Sequence, residues 1–125
     1  MKREVQGRLD RLTIIGNDVQ AAMTGGMDAY ARQLAKSAGL VQDILLEQQA
    51  VTVPAAAVTL DRDLRDAMGL LVSAYDTLAD AYRTGNATEL QDGISKANQV
   101  EQKVTTVRSG MRDLATPCGI RIPST

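Results

Sequence analysis

The feature that most constrains this chain is the spacing of its apolar residues, which recur every third or fourth position and almost never every second one. This period places them on one face of an α-helix, whereas strict alternation would indicate a half-buried strand. Four such stripes follow one another along the 125 residues. Their members are Val5, Leu9, Leu12, Gly16, Val19 and Met23; Met27, Tyr30, Leu34, Ala38, Val41 and Leu45; Leu60, Leu64, Met68, Leu71, Tyr75, Leu78 and Tyr82; and Leu90, Ile94, Ala97 and the polar Glu101, beside Val100, Val104, Val107, Met111 and Leu114.

Three breaks separate these stripes. Gly25-Gly26 allows a turn with positive φ, and Pro54 suits the first turn of a following helix. Gly85 and Asn86 combine a helix-terminating glycine with an N-cap residue, and Glu89 follows at capping-box spacing. We therefore predict a single helical-bundle domain over 1–125, with helices at about 3–24, 27–50, 55–84 and 87–115 and a tail at 116–125.

Short connections between the helices favour an all-α, antiparallel up-down-up-down four-helix bundle. The alternative is a long first helix over residues 3–50 in a three-helix or dimeric bundle, since the stripe continues almost in register through Gly25-Gly26. That helix would extend about 70 Å against about 42 Å for the others, and half of its stripe would lack a partner without dimerisation. The four-helix arrangement avoids this mismatch.

Composition excludes several kinds of chemistry. The chain has no His, so imidazole metal sites and Ser-His or Cys-His nucleophile pairs are absent, and its one cysteine, Cys118, cannot form an intrachain disulfide. A net charge of −1 provides no surface for a nucleic-acid backbone, and no apolar run approaches the ~20 residues of a membrane span. We expect no catalytic residue, no metal, no cofactor, no nucleic-acid partner and no membrane insertion.

Charged residues predict little beyond solubility. The run from Asp61 to Asp66 contains opposite charges four residues apart, Asp61 with Arg65 and Arg62 with Asp66, which is typical of a solvated helix face. None of the apolar stripes contains an arginine, and this argues against a helical enzyme that acts on an anionic substrate.

Aromatic residues and two methionines fall at one end of the predicted bundle. The three tyrosines are the only aromatic residues, and the topology brings them near the turns at Gly25-Gly26 and Gly85-Asn86, which we call the distal end. Tyrosine rings bury well while their hydroxyls need polar partners, so this end suits a ligand pocket. The candidate ligand-binding residues are Tyr30, Tyr75, Tyr82, Met23 and Met27. The alternative is that larger side chains fill the core where the helices splay.

Six glycines lie inside the predicted helices, where each costs about 1 kcal/mol relative to alanine. Close approach of neighbouring helices would explain them, and so would a soft bundle that tightens on binding. They are Gly7, Gly16, Gly39, Gly69, Gly93 and Gly110.

Two families share features with this chain. Leu9-Asp10-Arg11-Leu12 resembles part of the first helix of helical chorismate mutases, but the similarity covers one helix and implies no active-site residue here. The bundle plan resembles four-helix sensory ectodomains of bacterial receptors, although a fold alone does not assign a function.

We therefore predict a non-enzymatic helical-bundle binding domain, a bacterial sensory or extracytoplasmic module for a ligand or protein partner. The first alternative is a protein–protein adaptor or self-assembly module, and the second is a small helical enzyme for an anionic substrate. Met1-Lys2-Arg3-Glu4 lacks the apolar stretch of a signal peptide. The compartment is thus open: extracytoplasmic if a signal peptide was removed, otherwise cytoplasmic.

Overall fold

A computed structural model describes residues 2–115, except for the side chains of residues 2, 5 and 113–115. Cys118 and the predicted tail lie outside these residues. The chain forms four helices, α1 (Lys2–Ala22), α2 (Met27–Gln49), α3 (Val58–Thr84) and α4 (Ala87–Ala115), with 3₁₀ turns at Met23–Gly25 and Ala55–Ala57. Each helix packs on the next along the chain, so the prediction of an antiparallel four-helix bundle is confirmed.

The first turn decides between the two architectures predicted from the sequence. Gly26 has φ of 93° and ψ of 167°, a conformation that reverses the chain after the 3₁₀ turn and that side chains other than glycine rarely adopt. The alternative of one helix over residues 3–50 is therefore wrong. α1 also ends at Ala22, two residues before the predicted boundary.

The second connection begins with an extended residue, and this delays the third helix. Pro54 has ψ of 151°, and its carbonyl accepts a hydrogen bond of 2.9 Å from the amide of Ala57. Ala57 itself has φ of −109° and ψ of 7°, outside the helical range. α3 therefore begins at Val58 and not at residue 55, because a 3₁₀ turn occupies the intervening positions.

The third turn forms as its sequence predicts. Gly85 is left-handed, with φ of 72°, and its amide donates a 2.8 Å hydrogen bond to the carbonyl of Ala81. Asn86 caps α4, since its Oδ1 accepts a 3.0 Å hydrogen bond from the amide of Glu89. The reciprocal half of a capping box is not formed, because the Asn86 amide bonds to Ala81.

The core follows the predicted stripes and is richest on α2 and α3. Leu34, Val41, Leu64, Met68 and Val107 are almost completely buried. Three apolar stripe residues are instead exposed: Met23 and Met27, which flank the first turn, and Ile94, whose neighbour Gly93 takes the buried position.

Close helix contact explains some of the internal glycines. A Cβ atom at Gly93 would lie 2.7 Å from Cδ2 of Leu78, and one at Gly110 would lie 3.2 Å from Cδ1 of Leu60. These two glycines let α4 approach α3. Nothing lies within 4 Å of a Cβ at Gly7, Gly39 or Gly69, so close contact does not account for those three.

Candidate functional site

The three tyrosines predicted as ligand-binding residues come together at the distal end. The rings of Tyr30 and Tyr82 pack edge to face, with their centroids 5.0 Å apart and their planes at 68°. Tyr75 lies deeper and is 9% exposed. Burial, followed by the nearby Tyr82 hydroxyl, raises the pKa of Tyr30, and burial followed by the Tyr30 hydroxyl raises the pKa of Tyr75.

Met23 and Met27, the other two predicted residues, border the first turn and are 60% and 59% exposed. Both lie within seven residues of Tyr30 along the chain but present their side chains mostly to solvent. Tyr75 extends its hydroxyl toward α1, where a Cβ atom at Gly16 would lie 4.0 Å from it. Much of the tyrosine cluster is thus packed core, and its role in ligand binding stays a prediction.

A groove between α1 and α4 opens onto the core in the other half of the bundle. No extensive backbone interface joins these two helices within residues 2–115, because α1 packs mainly on α2 and α4 packs on α3. The space between them is about 170 Å³. We call it the α1–α4 groove. Its lining is Leu9, Leu12, Thr13, Leu64, Ala67, Met68, Leu71, Val100, Val104, Val107 and Arg108.

The α1–α4 groove has a buried floor and half-exposed walls. Leu64 and Val107 at its base are at most 1% exposed, whereas Leu12, Leu71 and Val104 are only partly covered. Cavities of about 150 Å³ with aliphatic walls hold a molecule the size of benzene, and ligand pockets usually measure about 300–1,000 Å³. The groove can therefore hold one or two apolar side chains.

A second concave surface lies on the outer side of α1 and α2. We call it the α1–α2 surface. It encloses about 350 Å³ and is lined by Arg11, Ile14, Ile15, Asp18, Leu40, Asp43, Ile44 and Glu47. Two large apolar side chains within it are exposed to solvent, Ile14 at 58% and Leu40 at 40%.

One ion pair closes an end of the α1–α2 surface. Arg11 donates two hydrogen bonds to the carboxylate of Glu47, of 2.9 Å from Nη1 to Oε2 and 2.5 Å from Nη2 to Oε1. These bonds raise the pKa of Arg11 and lower the pKa of Glu47. The charge of Arg11 is thereby matched by Glu47, and Asp18 and Asp43 supply the remaining charges of the lining.

A buried polar network joins α1, α2 and α3 near the start of α1. Arg8 Nη1 donates a 2.8 Å hydrogen bond to Gln48 Oε1, and Gln48 Nε2 donates one of 2.7 Å to Asp61 Oδ1. Arg65 pairs with the other Asp61 oxygen at 2.9 Å. Asp61 is only 5% exposed, so the prediction of a solvated face is wrong at this position.

The sequence contained a partial signal for this network. Gln48 falls three residues after Leu45, in register with the apolar stripe of α2, and is 1% exposed. The Arg8 side chain is 11% exposed, so an inward-facing arginine exists although no stripe contains one. Its Nε atom is buried without a hydrogen bond, 3.7 Å from Glu47 Oε1. Each carboxylate in the network faces a guanidinium or an amide, an arrangement that ties helices together.

Comparison with known proteins does not add to these observations. The sequence matches no protein-family model, and no curated protein or solved structure is significantly similar to it. No helix within residues 2–115 is long and apolar enough to cross a membrane. In the same part of the chain, no three acidic or cysteine side chains are grouped as metal ligands would be.

Proposed function

We propose that this chain is a non-enzymatic binding domain that receives apolar side chains from a partner protein's helix in the α1–α4 groove. The observation that carries the proposal is the groove itself, whose apolar lining reaches the fully buried Leu64 and Val107. Apolar surface of this kind is usually covered in the working protein, because exposing it to water is unfavourable.

The size and shape of the groove favour a helix over a small molecule. Its walls are two long helices, and its 170 Å³ fits one or two side chains better than a drug-sized ligand. An amphipathic helix laid between α1 and α4 would present apolar residues to the groove at every third or fourth position. Arg108 is the one charged residue of the lining, so an acidic residue beside the partner's apolar stripe would complement it.

The polar groups near the groove support binding more than catalysis. Thr13 is the hydroxyl residue of the lining, and its Oγ1 donates a 3.0 Å hydrogen bond to the carbonyl of Leu9. The Arg8–Gln48–Asp61 network is satisfied largely by its own members. General acid–base catalysis requires titratable groups placed to reach a substrate, and the groove lining contributes only an arginine.

A small-molecule site at the distal end is the second candidate function. The observation that favours it is the packing of Tyr30 against Tyr82 at the end of the bundle where the exposed Met23 and Met27 border the first turn. The flexible thioethers of methionine adapt to varied apolar partners. Substituting Tyr82 by Phe would then weaken the binding of that ligand and leave occupancy of the α1–α4 groove unchanged.

A synthetic amphipathic helix tests the principal proposal. The probe is a fluorescent peptide of about 18 residues, or five turns, with Leu at the apolar positions and Glu on the remaining faces. Fluorescence anisotropy gives its affinity, and amide shifts in nitrogen-15 NMR spectra locate it. We expect shifts at residues 9–13 and 100–108, and about tenfold weaker binding to Val104→Gln, because a polar group would enter the groove.

Val58→Gln is the matched control, since Val58 is 55% exposed and lies outside the lining of both concave surfaces. Equal binding by wild type and Val104→Gln, or no binding to wild type, would contradict the proposal. A native mass spectrum shows whether the partner is a different protein or a second copy of this chain. A dimer that Val104→Gln dissociates would make the partner a second copy of the chain.

A further inference from the structure

The α1–α2 surface has a regular arrangement of charged and apolar side chains. The ion pair between Arg11 and Glu47 fixes the register of the two antiparallel helices. Counting from this pair, Asp18 lies level with Leu40, and Asp43 lies one residue, or about 1.5 Å along the helix axis, from the level of Ile14. Apolar and acidic residues therefore alternate diagonally across the surface.

The balance of charge on this surface is negative. Of its four charged residues, three are acids, and the single base, Arg11, is held by Glu47. Among the side chains of residues 2–115 that the structure describes, none forms a hydrogen bond or an ion pair with the carboxylate of Asp18 or of Asp43. Both carboxylates, together with the exposed Ile14 and Leu40, are therefore available to a partner.

We propose that the α1–α2 surface is a second docking site and that its occupant is a basic amphipathic helix of a protein partner. Apolar side chains of this helix cover Ile14 and Leu40, and lysine or arginine residues on either side pair with Asp18 and Asp43. Complementary charge of this kind selects among partners and orients them. The diagonal pattern requires two apolar residues about one helical turn apart in the partner. A lysine or arginine should lie beside each of them.

This site is separate from the α1–α4 groove, because the two linings share only α1 and have no residue in common. The chemistry that each surface recognises also differs. The groove presents a deep apolar floor with one arginine, whereas the α1–α2 surface presents shallow apolar side chains among carboxylates. Both sites can therefore be tested independently in the full chain.

The experiment compares two labelled peptides that have the same leucine pattern, one with Lys and one with Glu on the remaining faces. We expect the Lys peptide to shift the amides of residues 11–18 and 40–47 in nitrogen-15 NMR spectra. The double variant Asp18→Asn/Asp43→Asn should bind it about fivefold more weakly at low salt, and this difference should shrink as salt screens the exposed charges.

Asp66→Asn/Asp76→Asn is the matched control, because it removes the same charge from exposed positions of α3. Ile14→Gln should likewise weaken binding, whereas Leu46→Gln, at a residue 54% exposed on α2 but outside the surface, should not. The proposal is overturned if the Lys peptide does not bind, if it shifts other residues, or if both double variants weaken it equally. Val104→Gln should leave binding of the Lys peptide unchanged, because Val104 lines only the α1–α4 groove. The proposals for the two surfaces can therefore fail independently.

Discussion

Gln48 and Asp61 form a buried hydrogen bond of 2.7 Å, from Nε2 to Oδ1, that joins the last turn of α2 to the first turns of α3. The Gln48 carbonyl oxygen accepts from Arg8 on α1, and the second Asp61 oxygen pairs with Arg65. These interactions hold α1 to α2 and α3, whereas α1 makes no extensive contact with α4 within residues 2–115. The position of α1, and hence the width of the α1–α4 groove, depends partly on this network.

The first prediction concerns the stability that this network confers. Asp61→Ala should lower the free energy of unfolding by about 2–3 kcal/mol, because it leaves the buried Gln48 amide without an acceptor. Urea denaturation measures the change. Asp66→Ala, an exposed aspartate on the same helix, should change stability by less than about 0.5 kcal/mol. If Asp66→Ala lowered the free energy of unfolding as much as Asp61→Ala, the loss could not be attributed to the hydrogen bond between Gln48 and Asp61.

The second prediction compares alanine substitutions at two glycines, one that has open space around it and one that packs against a neighbouring helix. Gly39→Ala should stabilise the protein by up to about 1 kcal/mol, because it removes the glycine penalty and the new methyl group meets nothing within 4 Å. Gly93→Ala should destabilise it by about 1–2 kcal/mol, since the methyl group would lie 2.7 Å from Leu78 and force the helices apart. Thermal unfolding compares the two. Stabilisation by both would mean that Leu78 moves aside easily.

The sequence predicts the turn between α3 and α4 correctly, but it does not predict the 3₁₀ turn that delays α3 or the contacts between residues distant in the chain. The turn at Gly85 and Asn86 could be predicted because the residues that form it are neighbours in the chain. Burial of Asp61 could not, since it follows from Gln48 reaching across from another helix. The same limit applies to both concave surfaces, whose existence depends on how far α1 lies from α4 and how α1 meets α2.

The third prediction concerns the ionisation of the tyrosine cluster. The pKa values of Tyr30 and Tyr75 are raised above 10 mainly by burial, so folding stabilises their neutral forms. This contribution is complete below pH 10 and is lost as pH rises through the higher folded-state values. Absorbance near 295 nm should show Tyr30 and Tyr75 titrating at higher pH in the native protein than in concentrated guanidinium chloride, with this difference reduced in Tyr75→Phe. Coincident titrations would contradict burial of these hydroxyls.

The fourth prediction concerns two carboxyl groups beside the turn between α3 and α4. Glu89 and Asp80 share a hydrogen bond, which raises the pKa of Glu89 above 4.5 and, together with Arg83, lowers the pKa of Asp80 below 3.8. The contribution of Glu89 to stability is therefore present below pH 4.5 and is lost as pH rises through its folded-state pKa. The contribution of Asp80 to stability is lost only as pH falls below 3.8, the ordinary pKa of an aspartate, so it does not vary above that pH.

Glu89→Gln keeps a hydrogen-bond donor near Asp80 and removes the charge that repels it. We expect the melting temperature of the variant, relative to wild type, to rise between about pH 4 and pH 7, because only wild type loses the protonated form of Glu89. Glu101→Gln removes the same charge from an exposed position elsewhere on α4 and serves as the control. If the two variants follow the same pH dependence, the Asp80–Glu89 hydrogen bond does not form in solution, and net charge alone accounts for the change.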